Sequence, residues 1–116
     1  MLTGIDHFAL IVSSEETVDF YKKLGFVESF RKEREYDTIV LLDAYSIKLE
    51  CFIDGKHPKR SIPEPLGLRR IAFKVDNIEK TLDELGIENK EIFTDWIGIR
   101  YVFLKDPDDN IVELHE

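Results

Sequence analysis

His7 and Glu50 lie 43 positions apart, and so do Arg70 and Glu113, each pair inside one of two similar stretches offset by 63 residues. Imidazole and carboxylate side chains can pass protons and bind cations, whereas a guanidinium pairs with anions and has no lone pair to offer. Three of the four positions therefore share one chemistry, and Arg70 carries another. The double spacing implies duplication of a unit that bore one polar group on its first strand and a carboxylate on its last.

The repeat extends beyond those four residues. His7-Phe8-Ala9-Leu10-Ile11-Val12 aligns with Arg70-Ile71-Ala72-Phe73-Lys74-Val75, Leu24-Gly25-Phe26 with Leu85-Gly86-Ile87, and Leu49-Glu50 with Val112-Glu113. The offset is 63 at both ends and 61 in the middle, so a two-residue indel is compensated inside each unit. Three segments recurring in one order indicate duplication rather than a chance match, and internal repeats decide a fold.

Periodicity supplies the elements that must position these groups. Residues 5–12 are almost wholly apolar, as expected of a strand covered on both faces. A helix follows, with Ser13 and Glu16 read as a capping box, Thr17, Phe20, Tyr21 and Leu24 at helical spacing, and Gly25 as the stop. The second unit repeats this plan with Asp76 and Glu79 as capping residues, Ile78, Leu82 and Leu85 as the stripe, and Gly86 as the stop. Strands are predicted over residues 27–34, 38–42 and 46–53 in the first unit, and 87–94, 99–105 and 110–114 in the second. Tyr45 and Asp106-Pro107-Asp108-Asp109 mark the turns before each last strand. Each unit thus reads β-α-β-β-β. The expected fold class is α+β: one domain of two repeats, 1–53 and 67–116, joined by the linker 54–66 and forming a curved mixed-sheet cup with its helices outside. That linker is rich in proline and carries Lys56, His57, Lys59 and Arg60, the one basic stretch in the chain.

Side chains two apart on a strand share a face, so Phe8, Leu10 and Val12 point opposite to His7, Ala9 and Ile11. By the same parity Leu49, Cys51 and Ile53 oppose Lys48, Glu50 and Phe52, and Val112 and Leu114 oppose Glu113 and His115. The apolar sets belong under the helices. His7, Glu50, Arg70 and Glu113 should then all lie on the faces the helices leave open, and a pseudo-twofold would let them converge.

Bulk properties narrow the function further. With 116 residues the chain can bury one real core, and its net charge of −8 and pI near 4.9 argue against nucleic acid, which demands a basic footprint. Neither a membrane-length apolar run nor a basic leader precedes the first strand, so a cytoplasmic protein without membrane partners is expected. The single Cys51 excludes an internal disulfide and reads as a small buried hydrophobe.

The paired plan, the opening Ile5-Asp6-His7-Phe8-Ala9-Leu10, the middle Gly67-Leu68-Arg69-Arg70-Ile71-Ala72-Phe73-Lys74-Val75 and the ending Asp106-Pro107-Asp108-Asp109-Asn110-Ile111-Val112-Glu113 resemble the vicinal oxygen chelate superfamily. Glyoxalase I, extradiol dioxygenases, fosfomycin-resistance proteins and bleomycin-binding proteins belong to it. The resemblance spans essentially the whole chain and is closest to small bacterial glyoxalase-type proteins. It implies a small-molecule substrate with vicinal oxygens, a homodimer, and a divalent ion (zinc, nickel, manganese or iron) held at His7, Glu50 and Glu113. Glu50 or Glu113 would then be the catalytic base, as in a metal-dependent lyase or isomerase.

Two residues depart from the family pattern. Asp109 stands where glycine is common, a left-handed position that Asp tolerates, and Arg70 stands where the family usually has histidine or glutamine. Either Arg70 binds a substrate anion while three ligands keep the metal, or it pairs with Glu50 or Glu113 and replaces the ion. His115 shares the face of Glu113 and could substitute as a ligand. The competing function is a non-catalytic, bleomycin-resistance-like cup lined by Arg70, Phe52, Tyr101, Phe103 and Trp96.

Overall fold

A computed structural model describes all 116 residues, which divide into unit 1 (1–58) and unit 2 (59–116). Unit 1 runs β1 (Phe8–Val12), α1 (Glu15–Lys23), β2 (Val27–Glu33), β3 (Thr38–Ala44) and β4 (Ile47–Ile53). Unit 2 runs β5 (Ile71–Lys74), α2 (Ile78–Glu84), β6 (Phe93–Thr94), β7 (Arg100–Lys105) and β8 (Ile111–His115). Both are βαβββ, as the repeat predicts. The boundary between them falls within the proline-rich stretch.

The two sheets have the same topology, β1-β4-β3-β2 and β5-β8-β7-β6, each with one parallel pair and otherwise antiparallel neighbours. Registers also match: Phe8 faces Leu49 and Ala9 faces Glu50, while Ile71 faces Val112 and Ala72 faces Glu113. All four positions in the second set lie 63 residues after their counterparts. The duplication is therefore present in the hydrogen-bond ladder as well as in residue types.

One face of each sheet is closed by its helix. Val12, Val40, Leu42, Leu49 and Cys51 bury with Val18 and Tyr21 of α1, and Val102, Leu104, Val112 and Leu114 bury with Ile78 and Leu82 of α2. Full burial of such side chains stabilises by roughly 1.5–3 kcal/mol each. Cys51 is a core residue, as expected.

Four local expectations need correction. β1 begins at Phe8 rather than residue 5: its ladder with β4, its only neighbour in the sheet, starts at the Phe8–Leu49 pair. The α1 cap is Ser14, not Ser13; its Oγ accepts from the backbone N–H of Glu16. The α2 cap is Asn77, not Asp76, and its side chain accepts from Lys80 N–H. In both helices the cap lies one residue later than read, since the extended segment continues that far. The strand expected over residues 87–94 shrinks to Phe93–Thr94: Asn89 has φ 57, and the turn before β7 leaves only two residues opposite it. Its counterpart β2 pairs along its length because Arg34 and Asp37 clamp a longer hairpin.

Turn chemistry holds the last strand of each unit. Tyr45 and Ser46, with φ of 52 and 62, form the two-residue link between β3 and β4, the positive-φ pair that hairpin twist favours. Asp109 has φ 66, the left-handed geometry expected of it, while Asp106 Oδ1 accepts from the N–H groups of Asp108 and Asn110. Unit 2 is further tied by Arg100, which donates to both Glu79 on α2 and the terminal Glu116. No helix is long and apolar enough to cross a membrane.

Two outcomes follow from this packing. Gly25 has φ +110, and a Cβ there would overlap the Tyr45 hydroxyl, which donates to Leu24 O. Gly25→Ala should therefore cost about 1–3 kcal/mol in urea unfolding, partly recovered with Tyr45→Phe, and a change under about 0.5 kcal/mol would contradict the contact. Hydrogen bonds from Arg100 lower the Glu79 carboxyl from its ordinary 4.5 to about 2. Because the folded value lies below the unfolded one, this stabilisation is full above about pH 4.5 and is lost as pH falls towards 2. Urea midpoints from pH 6 to 2 should decline less steeply in Arg100→Gln; parallel declines would reject the assignment.

Candidate functional site

In unit 1, strand register puts Glu50 on the face opposite α1, and His7, two residues before Ala9, follows the same parity. His7 Nε2 stands 3.4 Å from Glu50 Oε1, with both side chains partly exposed. Its other nitrogen, Nδ1, is 2.7 Å from Asp6 Oδ1. The hydrogen bond to His7 holds the Asp6 carboxyl below its usual range, which suits Asp6 as the acceptor of this contact. In the neutral ring Nε2 then points a lone pair at a carboxylate oxygen. Two electron-rich atoms facing each other invite a cation, either a proton on Nε2 or a metal ion.

Arg34, in the β2–β3 hairpin, belongs to this neighbourhood. Its guanidinium donates twice to Asp37 (2.6 and 2.7 Å) and lies 4.5 Å from the Tyr36 ring centre and 5.8 Å from that of Phe52. Its protonated form is favoured first by Asp37, with a smaller contribution from the charge of Glu50. Only the Arg-x-x-Asp spacing in the β2–β3 hairpin hinted at it.

Unit 2 repeats the placement with different chemistry. Arg70 precedes β5 as His7 precedes β1, and its Nε donates to Glu113 Oε1 at 2.9 Å. The second oxygen, Oε2, meets His115 Nδ1 at 2.7 Å, and Glu113 is only 8% exposed. Both oxygens of this carboxylate are thus engaged. Around it Tyr101 stacks near-parallel to His115 (ring centres 6.3 Å apart), Phe93 stacks on Tyr101 (5.6 Å), and Phe103 packs edge-on to Tyr101. Arg70 Cζ lies 4.9 Å from the Phe103 ring centre. No sequence signal marks Phe93; its register opposite Tyr101 places it here.

The candidate residues thus fall into separate groups. His7 meets Glu50; Arg70, Glu113 and His115 form a second cluster beside Tyr101 and Phe103; Phe52 accompanies Arg34. Trp96 joins neither cluster, standing 93% exposed on a turn whose Asp95 carboxylate accepts from Ile97 and Ile99 N–H. Neither unit gathers three or more His, Cys, Asp or Glu side chains around a point. His7 and Glu50 suit a borderline divalent ion by donor type. Arg70 does not, and Glu113 could serve only by exchanging Arg70 or His115 for the ion.

A family model described as Glyoxalase/Bleomycin resistance protein/Dioxygenase superfamily matches residues 4–114. YwkD of Bacillus subtilis (strain 168) is 39% identical over 127 residues, covering 100% of this chain and 98% of YwkD. The crystal structure of a glyoxalase family protein from Enterococcus faecalis is 40% identical, with 97% of each chain covered and a TM-score of 0.87. That of lactoylglutathione lyase from Agrobacterium tumefaciens shares the fold at 20% identity and a TM-score of 0.69, covering 100% of this chain and 95% of the lyase.

The Arg70–Glu113 contact should be energetically coupled. With Arg70 30% and Glu113 10% exposed at the side chain, a double-mutant cycle of Arg70→Gln and Glu113→Gln should return about 1–2 kcal/mol in urea unfolding. Additivity within about 0.3 kcal/mol would mean that the two side chains do not interact.

Proposed function

This chain belongs to the Glyoxalase/Bleomycin resistance protein/Dioxygenase superfamily, and from that premise we propose that it is a metal-dependent lyase or isomerase of the glyoxalase type, acting on a small substrate with vicinal oxygens. The donors assigned to a divalent ion (zinc, nickel, manganese or iron) are His7, Glu50 and Glu113. The observation that carries the reading is the 3.4 Å approach of His7 Nε2 to Glu50 Oε1 while Asp6 occupies Nδ1. Such an arrangement orients an imidazole lone pair for a cation. When bound, the ion supplies Lewis acidity that lowers the cost of negative charge on substrate oxygens.

The chain's own residues carry the proton chemistry in this reading. Glu50 or Glu113 takes a carbon-bound proton from the substrate and returns it to the adjacent carbon, so no net proton is lost. Arg70 contributes a fixed positive charge that holds an anionic part of the substrate. Phe52, Tyr101 and Phe103 supply the apolar contacts. The same proposal makes the protein a cytoplasmic homodimer, supported by family membership and acidic composition, and light scattering that returned the mass of one chain would exclude the dimer.

A second reading has its own support. The 2.9 Å hydrogen bond from Arg70 to Glu113 puts a permanent cation against one proposed donor, which suits a non-catalytic small-molecule binder of the bleomycin-resistance kind. Metal analysis of protein purified without chelator separates the two. About one equivalent of divalent metal in the parent, lost in His7→Ala, is expected for the enzyme. Metal-free parent protein that becomes metal-binding on Arg70→His would overturn it in favour of the binder.

A further inference from the structure

The face of the unit 2 sheet opposite α2 combines aromatic surface with a charge opposite to that of the whole chain. By strand parity it carries Arg70, Lys74 and Lys105 against one carboxylate, Glu113, in a protein of net charge −8. Arg70 is held at Nε by Glu113 and lies over Phe103, and that hydrogen bond does not use its two terminal nitrogens. A guanidinium anchored in this way presents a planar two-donor fork, the shape that matches a carboxylate. Beside it Phe93 and Tyr101 offer partly exposed, near-parallel rings 5.6 Å apart between centres.

We propose that this face binds a planar aromatic carboxylate, its two oxygens on the Arg70 terminal nitrogens and its ring against Tyr101 and Phe93. The inference names the anionic part that Arg70 holds in the function proposed above and rests on that reading for the role of Arg70, though not for the metal. Ring contact with aromatic side chains favours an aromatic over an aliphatic acid by roughly 3- to 10-fold. The anchored fork is the larger contribution, since a hydrogen-bonded charge contact corresponds to roughly tenfold or more in affinity.

The test uses the full chain stripped of metal with chelator, titrated calorimetrically with 2-naphthoate, cyclohexanecarboxylate, 2-naphthalenemethanol and 2-naphthyl phosphate. 2-Naphthoate is expected to bind best, to weaken about tenfold in Arg70→Gln and to weaken roughly 3- to 10-fold in Phe93→Leu. Arg70→Lys, which keeps the charge without the fork, should fall between parent and Arg70→Gln, and it serves as the arm if Arg70→Gln does not fold. 2-Naphthalenemethanol should bind weakly and be indifferent to Arg70. Equal binding of the aliphatic acid, undiminished binding in the Arg70 variants, tighter binding of the phosphate, or no binding to the parent would each overturn the proposal. Failure here, alongside one equivalent of metal in protein purified without chelator, leaves the enzyme reading intact; a parent that is metal-free as purified and binds 2-naphthoate rejects the enzyme reading alone.

Discussion

In each unit the first strand hydrogen-bonds in parallel to the last, Phe8 with Leu49 and Ile71 with Val112, and the remaining features depend on that register. Because side chains alternate along a strand, one ladder alignment decides two faces at once. It places Leu49, Cys51, Val112 and Leu114 in the cores beneath the helices and Glu50 and Glu113 on the opposite sides. A slip of one residue would bury both carboxylates against the helices. Packing and chemistry in this protein thus have a common origin.

The same ladder positions His7 and Arg70 equivalently, yet the two units treat their carboxylates differently. Unit 1 brings His7 Nε2 within 3.4 Å of a Glu50 oxygen, with Nδ1 of the same ring against Asp6. Unit 2 closes the equivalent position with a guanidinium on one oxygen and His115 on the other. A duplicated scaffold therefore pairs one carboxylate with an imidazole and the other with a guanidinium. The fold accommodates both because neither His7 nor Arg70 lies within a strand, so each can change type without disturbing the ladder.

Much of this was legible in the chain. The 63-residue offset, the two helical stripes ending at Gly25 and Gly86, and the left-handed Asp109 each reflect a local rule, and local rules act through neighbours in sequence. The pairing of Arg70 with Glu113 was one of two outcomes allowed by chemistry, since a guanidinium must either hold an external anion or neutralise a carboxylate on its own face. Family membership was also readable, because its motifs sit at the ends of the paired strands.

Other features were not legible, for identifiable reasons. The length of β6 depends on how the Asp95–Gly98 turn returns the chain to β7, and nothing in residues 87–92 encodes that return. Arg34 and Phe93 reach their neighbourhoods through hairpin register, and Trp96 leaves the aromatic group because its turn, ordered by Asp95, points it into solvent. The sequence by itself determined the βαβββ repeat, the helix-facing cores and the types of the four equivalent polar groups, all consequences of periodicity and spacing. Only the tertiary structure decided which atoms those groups present to one another, His7 Nε2 to Glu50 and Arg70 Nε to Glu113, because hydrogen-bond partners separated by 43 residues are chosen by strand register and not by local preference.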